Sequence, residues 1–464
     1  MPTRNYTYYD FTLSLCPTCL KRIEAKIVFE NGKVFMLKRC PEHGRSKVLI
    51  ADDVEYYKNI RNYNKASEFP HKFNTATDYG CPYDCGLCPD HEQHSCLSII
   101  EVTDRCNLKC PTCYASSAPN YGRHRTLEEI KKMLDTIVAN EKEPDVVQIS
   151  GGEPTVHPQF FEIMDYAKQL PIRHLMLNTN GIRIAKDFAF AERLASYMPD
   201  FEIYLQFDSF KGEVLQKLRG EDLTSTRLKA IAHLNELNLS TTLVVTLQKG
   251  LNDNEIGEIL EYATKQQCVR GVTFQPTQIA GRLEDFDAQT NRITLTEVRR
   301  KILEQFPVFN TDDLIPVPCN PDALVMGYAL KSKEGILPLT RYINPADLLH
   351  SGKNTIVYEQ DHELHGKMLE LFSTGNSVEK ASENLQSIMC CLPEIDAPGL
   401  GYQDLFRVII MQFVDAYNFD VRSIKKSCVH IVDKDYKIIP FETMNLFYRD
   451  EKKAYLETLR ADSV

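Results

Sequence analysis

Leu97-Ser-Ile-Ile-Glu-Val-Thr103 runs directly into Asp104-Arg-Cys106-Asn-Leu-Lys-Cys110-Pro-Thr-Cys113. The first seven residues have the apolar, β-branched character of a buried strand. The rest place three thiols at C-x3-C-x2-C spacing immediately after it. From here the chain keeps a rhythm. Further strands are predicted at 145–150, 174–178, 202–207, 241–247 and 271–275. Amphipathic helical stretches lie between them at 127–140, 160–169, 185–196, 225–237 and 253–265. Thr126 and Glu129 form a capping box ahead of the first helix. Six strands separated by five helices predict an α/β fold with a parallel sheet, closed or partly closed.

The strand ends carry the polar groups. The second strand ends in Ser150-Gly151-Gly152-Glu153-Pro154, the third in Asn178-Thr-Asn180-Gly181, and the fourth in Gln206-Phe-Asp208. These are C-terminal ends of consecutive parallel strands, where barrels of this kind carry active sites. Paired glycines let backbone approach a ligand closely, and a following carboxylate can bind an amine. Thiolates select soft metals and iron–sulfur clusters, and three of them on a four-iron cube leave one iron open. Singly, each polar loop also reads as an ordinary βα turn. The triplet alone also fits a structural zinc loop or an electron-transfer cluster completed by another Cys. The combination favours a cofactor site.

Composition bounds the function. The chain has 464 residues, 43% hydrophobic and 25% charged, as in a globular protein of several domains. No run of 18 apolar residues and no leading apolar h-region is present, so the expected location is the cytoplasm, with at most peripheral membrane contact. The net charge of −10 argues against an extended nucleic-acid surface. Fifteen cysteines without an export signal read as metal-binding or catalytic, and ten of them fall in the first 113 residues.

Around this core four units are expected: an N-terminal metal-knuckle domain at 1–70, a cysteine segment at 71–96, the βα core at 97–285, and a C-terminal α+β domain at 286–464. The N-terminal unit holds Cys16-x2-Cys19 and Cys40-x2-His43, flanking a hairpin turned by Asn31-Gly32. Paired knuckles of this kind form a tetrahedral Zn or rubredoxin-like Fe site, structural rather than catalytic. The C-terminal unit has a helix predicted near 295–305 and a final hairpin at 429–433 and 437–440. Cys268, just before the sixth strand, reads as a core thiol.

The Cys triplet and the Gly151-Gly152-Glu153-Pro154 loop together resemble the radical S-adenosylmethionine (SAM) superfamily over roughly 97–285. The resemblance implies a partial (β/α)6 barrel. It implies that Cys106, Cys110 and Cys113 hold a [4Fe–4S] cluster whose open iron chelates SAM. Gly151, Gly152 and Glu153 would contact the methionine amino group, and Asn180, Gln206 and Asp208 the ribose and methionine. Cleavage of SAM would yield a 5′-deoxyadenosyl radical that abstracts hydrogen from an unactivated carbon. A reductant such as ferredoxin or flavodoxin would supply the electron.

Cys81-Pro-Tyr-Asp-Cys85-Gly-Leu-Cys88, with Cys96 close behind, repeats the triplet spacing with a fourth thiol to hand. It reads as an auxiliary [4Fe–4S] cluster or a four-Cys zinc site. Cys319, Cys390, Cys391 and Cys428 have no ligand spacing. They are expected to be either a third [4Fe–4S] cluster facing the barrel mouth or unconnected buried thiols. The order of knuckle, second triplet and core motif is similar to a subgroup containing archaeal tetraether-lipid synthases and methylases of a hydroxymethyl-dihydropterin. That similarity extends to 418–420, 428–431 and 438–441. After the Pro440-Phe441 pair the subgroup's pattern calls for Cys, and here the residue is Glu442. The implied activity is C–C bond formation or methylation on a lipid-like or pterin-like small molecule. The competing readings are an iron–sulfur electron carrier or zinc scaffold, and a radical SAM nucleic-acid modifier.

Overall fold

The structure is a computed structural model, and it describes residues 4–332, 335–341 and 404–462. Cys390 and Cys391 lie outside the described residues.

The N-terminal unit is an antiparallel meander of β1 (Thr7–Leu15), β2 (Arg22–Glu30), β3 (Lys33–Cys40) and β4 (Gly44–Ala51). Asn31 and Gly32 take φ of 51° and 73° between the paired residues Glu30 and Lys33, the two-residue hairpin their sequence predicts. Strand alternation puts Ala25, Ile27, Val34 and Met36 on one face, packed against Tyr57 and Ile60.

The core is one large sheet. Its six expected parallel strands are present. They are β5 (Leu97–Glu101), then β7 (Val146–Ser150), β8 (His174–Thr179), β9 (Phe201–Gln206), β10 (Thr241–Leu247) and β11 (Val269–Pro276), while the short β6 (Thr112–Cys113) lies in the loop after β5. They are hydrogen-bonded in that sequential order, β5 to β11. One strand face, with Ile100, Val147, Ile149, Leu177, Ile203, Leu205, Val245 and Phe274, packs on the helices. The helix Leu127–Glu141 begins with the capping box of Thr126 and Glu129 and buries Ile130, Met133, Leu134 and Ile137. The single helix predicted at 185–196 is instead two, Ile182–Lys186 and Phe188–Ala195. Asp187 breaks it, its side chain capping Phe190 N at 3.1 Å. A helix at Gly212–Arg219, absent from the sequence-based expectation, ends on Gly220 at φ 84°.

Both edges of the six-stranded array are covered by chain from beyond residue 286. After β12 (Arg282–Leu283), which pairs with β6, come β13 (Ile315–Pro316), β14 (Leu324–Ser332), β15 (Gly335–Pro338) and β16 (Leu405–Met411). β16 runs parallel beside β11, and β14 lies antiparallel on β16. The final hairpin forms as expected from β17 (Val429–Val432) and β18 (Ile438–Pro440), with β17 parallel to β5. An open partial barrel leaves two strand edges unpaired, and pairing satisfies their N–H and C=O groups. The other strand face, including Ile99, Val146 and Met176, packs with Met411, Val429, Phe441 and Met444 from these segments. No helix among the described residues is long and apolar enough to cross a membrane.

Candidate active site and metal centres

The Cys106–Cys113 loop leaves the C-terminal end of β5. Cys106 and Cys110 are buried with Leu108, Leu215 and Leu223, and Cys113 is half-buried beside them. Arg282 ties the loop down: Nε donates to Cys110 O (2.6 Å), and Nη1 and Nη2 to Ser116 O (3.2 Å) and Ser117 O (2.6 Å). Burial raises the Cys106 thiol, with the Glu153 charge adding to it, and burial likewise raises Cys110. Thiols held this way ionise only against a strong positive charge, which suits a bound iron cluster. All three line one cavity with Gly151, Gly152, Asn178, Asn180, Gln206 and Arg219. The donor set therefore fits the expected cluster.

The paired glycines have a steric cause. A Cβ on Gly151, at φ 140°, would lie 2.4 Å from Thr103 O, and one on Gly152 would lie 2.3 Å from Arg105 O. The loop is pressed on the chain that leads to Cys106, with Gly152 N donating to Thr103 O (2.8 Å) and Glu153 N to Arg105 O (3.0 Å).

Glu153 and Asp208 are both held by hydrogen bonds from neighbouring strands and loops. The Glu153 carboxylate is 1% exposed and accepts from Thr155 N (3.1 Å), Thr155 Oγ1 (2.6 Å), Thr179 Oγ1 (2.8 Å) and Asn180 N (2.8 Å). Three of these bonds fall on Oε1 and one on Oε2, and together they fasten the loop to the end of β8. Burial raises its carboxyl despite these bonds. Asp208 accepts from Arg219 Nε (2.7 Å) and Nη2 (2.6 Å) and from Thr246 N (3.1 Å). Burial would raise it, but the Arg219 and Arg227 charges hold it below its ordinary value. It positions Arg219, which lines the cavity. Asn180 and Gln206 do face the cavity, and Asn180 Nδ2 donates to Asn107 Oδ1 (2.6 Å) beside Cys106.

Sequence reading named Gln206 and quoted Asn178 but missed Gln148, Thr246 and Gln275 of the cavity wall. Gln148, Asn178, Gln206, Thr246 and Gln275 come one each from β7, β8, β9, β10 and β11 and together line it. The signal was a polar residue near the C-terminal end of each otherwise apolar strand. Tyr114, Phe413 and Phe441 line the same cavity, with ring centroids 4.9 Å apart for Tyr114–Phe441 and 4.1 Å, stacked, for Phe413–Phe441.

The N-terminal knuckle residues meet. Cys16, Cys19, Cys40 and His43 have ligand atoms all within 4.8 Å of one another, with His43 Nδ1 3.6 Å from Cys16 Sγ and 3.5 Å from Cys40 Sγ. Ligands about 2.3 Å from one tetrahedral ion sit about 3.8 Å apart, so the set fits a mononuclear metal.

Cys96 does not join Cys81, Cys85 and Cys88 in the expected set of four. Its compact partners are Cys319 and Cys428, the three sulfurs lying within 4.8 Å, with Cys319 Sγ 3.3 Å from Cys428 Sγ. His94 Nε2 is 3.6 Å from Cys96 Sγ, and its Nδ1 is 3.2 Å from Glu141. This group is not at the barrel mouth. Cys96 and Cys428 immediately precede β5 and β17, joined by Leu97 N to Cys428 O (3.0 Å). The Cys106 loop leaves the other end of β5, about 17 Å of strand away. Cys81, Cys85 and Cys88 form a separate loop; burial pushes the Cys81 thiol up to about 11, and Cys85 and Cys88 up as well. Cys268 is buried in the helix-facing core, as expected.

A profile described as the radical SAM superfamily matches residues 100–263, and one described as the HMPTM N-terminal zinc ribbon domain matches residues 8–52. The 7,8-dihydro-6-hydroxymethylpterin dimethyltransferase of Methanocaldococcus jannaschii is 33% identical over 481 residues, spanning 95% of this chain and 94% of that protein. A probable GTP 3′,8-cyclase of Thermococcus kodakarensis is 30% identical over 167 residues, 36% of this chain and 52% of its own. Among solved structures, SuiB of Streptococcus suis bound to S-adenosylmethionine aligns over 45% of this chain and 46% of its own. Its identity is 18% and its TM-score 0.37.

Proposed function

The chain belongs to the radical SAM superfamily and is a SAM-dependent iron–sulfur enzyme, and from that premise we propose that it methylates an unactivated carbon of a pterin-like small molecule. Cys106, Cys110 and Cys113 hold the [4Fe–4S] cluster. When bound, the cluster and SAM supply a 5′-deoxyadenosyl radical capable of taking hydrogen from carbon. The chain's residues orient the partners. Glu153 fixes the glycine loop, Asp208 aims Arg219, and Arg282 holds the cysteine loop. Cys81, Cys85 and Cys88 carry an auxiliary [4Fe–4S] cluster, and Cys96, Cys319 and Cys428 hold a further metal. Cys16, Cys19, Cys40 and His43 bind zinc as a structural knot. A ferredoxin or flavodoxin delivers the electron.

The observation that carries the substrate class is the cavity wall. Gln148, Asn178, Gln206, Thr246 and Gln275 bring amide and hydroxyl groups to a cavity that the Tyr114, Phe413 and Phe441 rings also line. A flat heterocycle with alternating N–H, C=O and ring nitrogens suits both kinds of lining group, stacking on the rings and bonding to the amides. An aliphatic lipid tail would strip water from these polar groups and return no hydrogen bond, at a cost of about 1–3 kcal/mol for each one left unsatisfied. The relative from Methanocaldococcus jannaschii, named for a hydroxymethylpterin, supports the same reading.

The test is anaerobic reconstitution with dithionite and SAM, offering either 6-hydroxymethyl-7,8-dihydropterin or a saturated ether lipid. The pterin should stimulate 5′-deoxyadenosine release and emerge heavier by one or more methyl groups. Stimulation by the lipid alone would overturn the substrate class.

A further inference from the structure

Lys38 lies on β3, two residues before Cys40, and is 3% exposed. Its Nζ donates to Leu15 O (2.8 Å), Ala416 O (2.9 Å) and Tyr417 O (2.8 Å), the three bonds that an ammonium can make. A buried charge costs free energy that only full pairing offsets, and here the pairing is complete. Leu15 immediately precedes Cys16, so one end of this clamp sits on the knuckle's ligand loop. The other end lies 378 and 379 residues further along the chain.

The segment at that far end helps to build the cavity. Phe413 lines it, stacked on Phe441. Val414 O accepts from Nε2 of Gln278, another lining residue, at 2.8 Å. The buried Asp415 carboxylate accepts from Arg292 Nη2 (2.9 and 2.8 Å), Ile279 N (3.1 Å) and Tyr417 N (2.9 Å). Residues 413–417 are therefore tied to the cavity wall at Gln278 and Ile279, and to the knuckle at Lys38. β1 also touches this region, but further along the chain. Thr12 Oγ1 donates to Asp420 Oδ1 at 2.7 Å, and Asp10 pairs with Arg422.

We propose that Lys38 is a positioning residue for the substrate cavity: it holds residues 413–417 in register with the metal-bound knuckle, so that loss of the knuckle metal loosens the Phe413 and Gln278 side of the cavity. The proposal rests on the readings of Cys16, Cys19, Cys40 and His43 as a metal site and of the cavity as the place of a pterin-like substrate. A group bonded to two elements makes the order of one favour the order of the other, and the effect is reciprocal. The knuckle thus acts on substrate fit while lying outside the cysteine loop that holds the core cluster.

The experiment uses the full-length chain and reads amide hydrogen exchange across residues 412–418, with the knuckle loaded with zinc or emptied by Cys16→Ser together with Cys40→Ser. With Lys38 present, emptying the knuckle should speed exchange there about fivefold or more. In Lys38→Met the segment should exchange fast already, and emptying should add less than about twofold. Lys38→Gln, which keeps two donors, should fall between. Thr12→Ala removes a contact of the same unit outside the clamp and should leave the response to emptying intact. In turnover, Lys38→Met should raise the KM for 6-hydroxymethyl-7,8-dihydropterin about tenfold, with kcat within about twofold and SAM cleavage without pterin unmoved. Unchanged exchange at 412–418 on emptying the knuckle in the Lys38 chain, while β1–β4 open, would overturn the clamp whatever the fate of the Lys38 variants. Equal behaviour of Lys38→Met and Thr12→Ala would overturn it too, leaving Lys38 an ordinary docking contact. Failure of the pterin to stimulate any form, with the exchange pattern as expected, would overturn the substrate reading and leave the clamp standing.

Discussion

The N-terminal knuckle and the core triplet both gather sulfur, yet they are built oppositely. In the knuckle, four ligand atoms from the ends of β1 and β3 and their turns crowd within 4.8 Å. Nothing is left open, and the site pins two hairpin loops. In the core, Cys106, Cys110 and Cys113 belong to no such compact group among the described residues, and they line a cavity with the glycine loop and Asn180. A closed set of donors has its metal as a staple, whereas an open set presents its metal to something else. Compactness and access to a cavity separate the two more sharply than cysteine spacing does.

The strongest way to break that contrast is to remove each set in turn. Replacing Cys106, Cys110 and Cys113 with Ala should abolish 5′-deoxyadenosine formation outright, with far-ultraviolet circular dichroism unchanged. Residual turnover would place the chemistry elsewhere. Replacing Cys16 and Cys40 with Ser should do the reverse. The metal of the knuckle is lost, amide protection across β1–β4 collapses in hydrogen exchange, and SAM cleavage per folded molecule stays within about twofold. A proportionate loss of both would dissolve the contrast.

The cavity wall sharpens it further. Gln275→Leu or Gln148→Leu should weaken pterin-stimulated turnover about 10- to 100-fold, the worth of one or two hydrogen bonds at about 1.4 kcal/mol per tenfold. SAM cleavage without pterin should hold, measured by 5′-deoxyadenosine release. Glu153→Ala leaves four donors without their acceptor and should cost about 2–4 kcal/mol of stability by denaturant titration. SAM affinity should fall alongside, because the loop loses its anchor.

The smallest effect is a pH dependence. Arg219 holds the Asp208 carboxyl below its ordinary value. A lowered acid contributes stability that is present above the unfolded value, near pH 4, and lost as pH falls through the folded one. The Thr246 amide, which donates to Asp208, should therefore lose exchange protection as pH falls below about 4. Asp208→Asn should flatten that response while weakening protection modestly at neutral pH.

Much of this molecule is written locally in its sequence. The β-branched strand before Cys106, the Asn31-Gly32 turn, the Thr126–Glu129 cap and the knuckle spacings each draw on residues a few positions apart. Local patterns of that kind fix a strand, a turn, a helix start and a ligand pair before the chain folds. The partial barrel follows from their order, because a parallel strand needs a crossover and helices supply it. What the sequence by itself could not determine depends on residues far apart in the chain. Cys96 meets Cys319 and Cys428 because β17 pairs with β5, across more than 300 residues of sequence. Nothing in its neighbourhood distinguishes that partner from the nearer Cys88. The polar ring of Gln148, Asn178, Gln206, Thr246 and Gln275 is likewise assembled by strand register. In strands buried on both faces, alternation does not tell lumen from helix side. The hydrogen-bond partners of Glu153 and Asp208 were also decided only in three dimensions, because they come from neighbouring strands and loops. Spacing along the chain determined which elements and metal-binding motifs exist; the pairing of distant strand edges decided which side chains share a site.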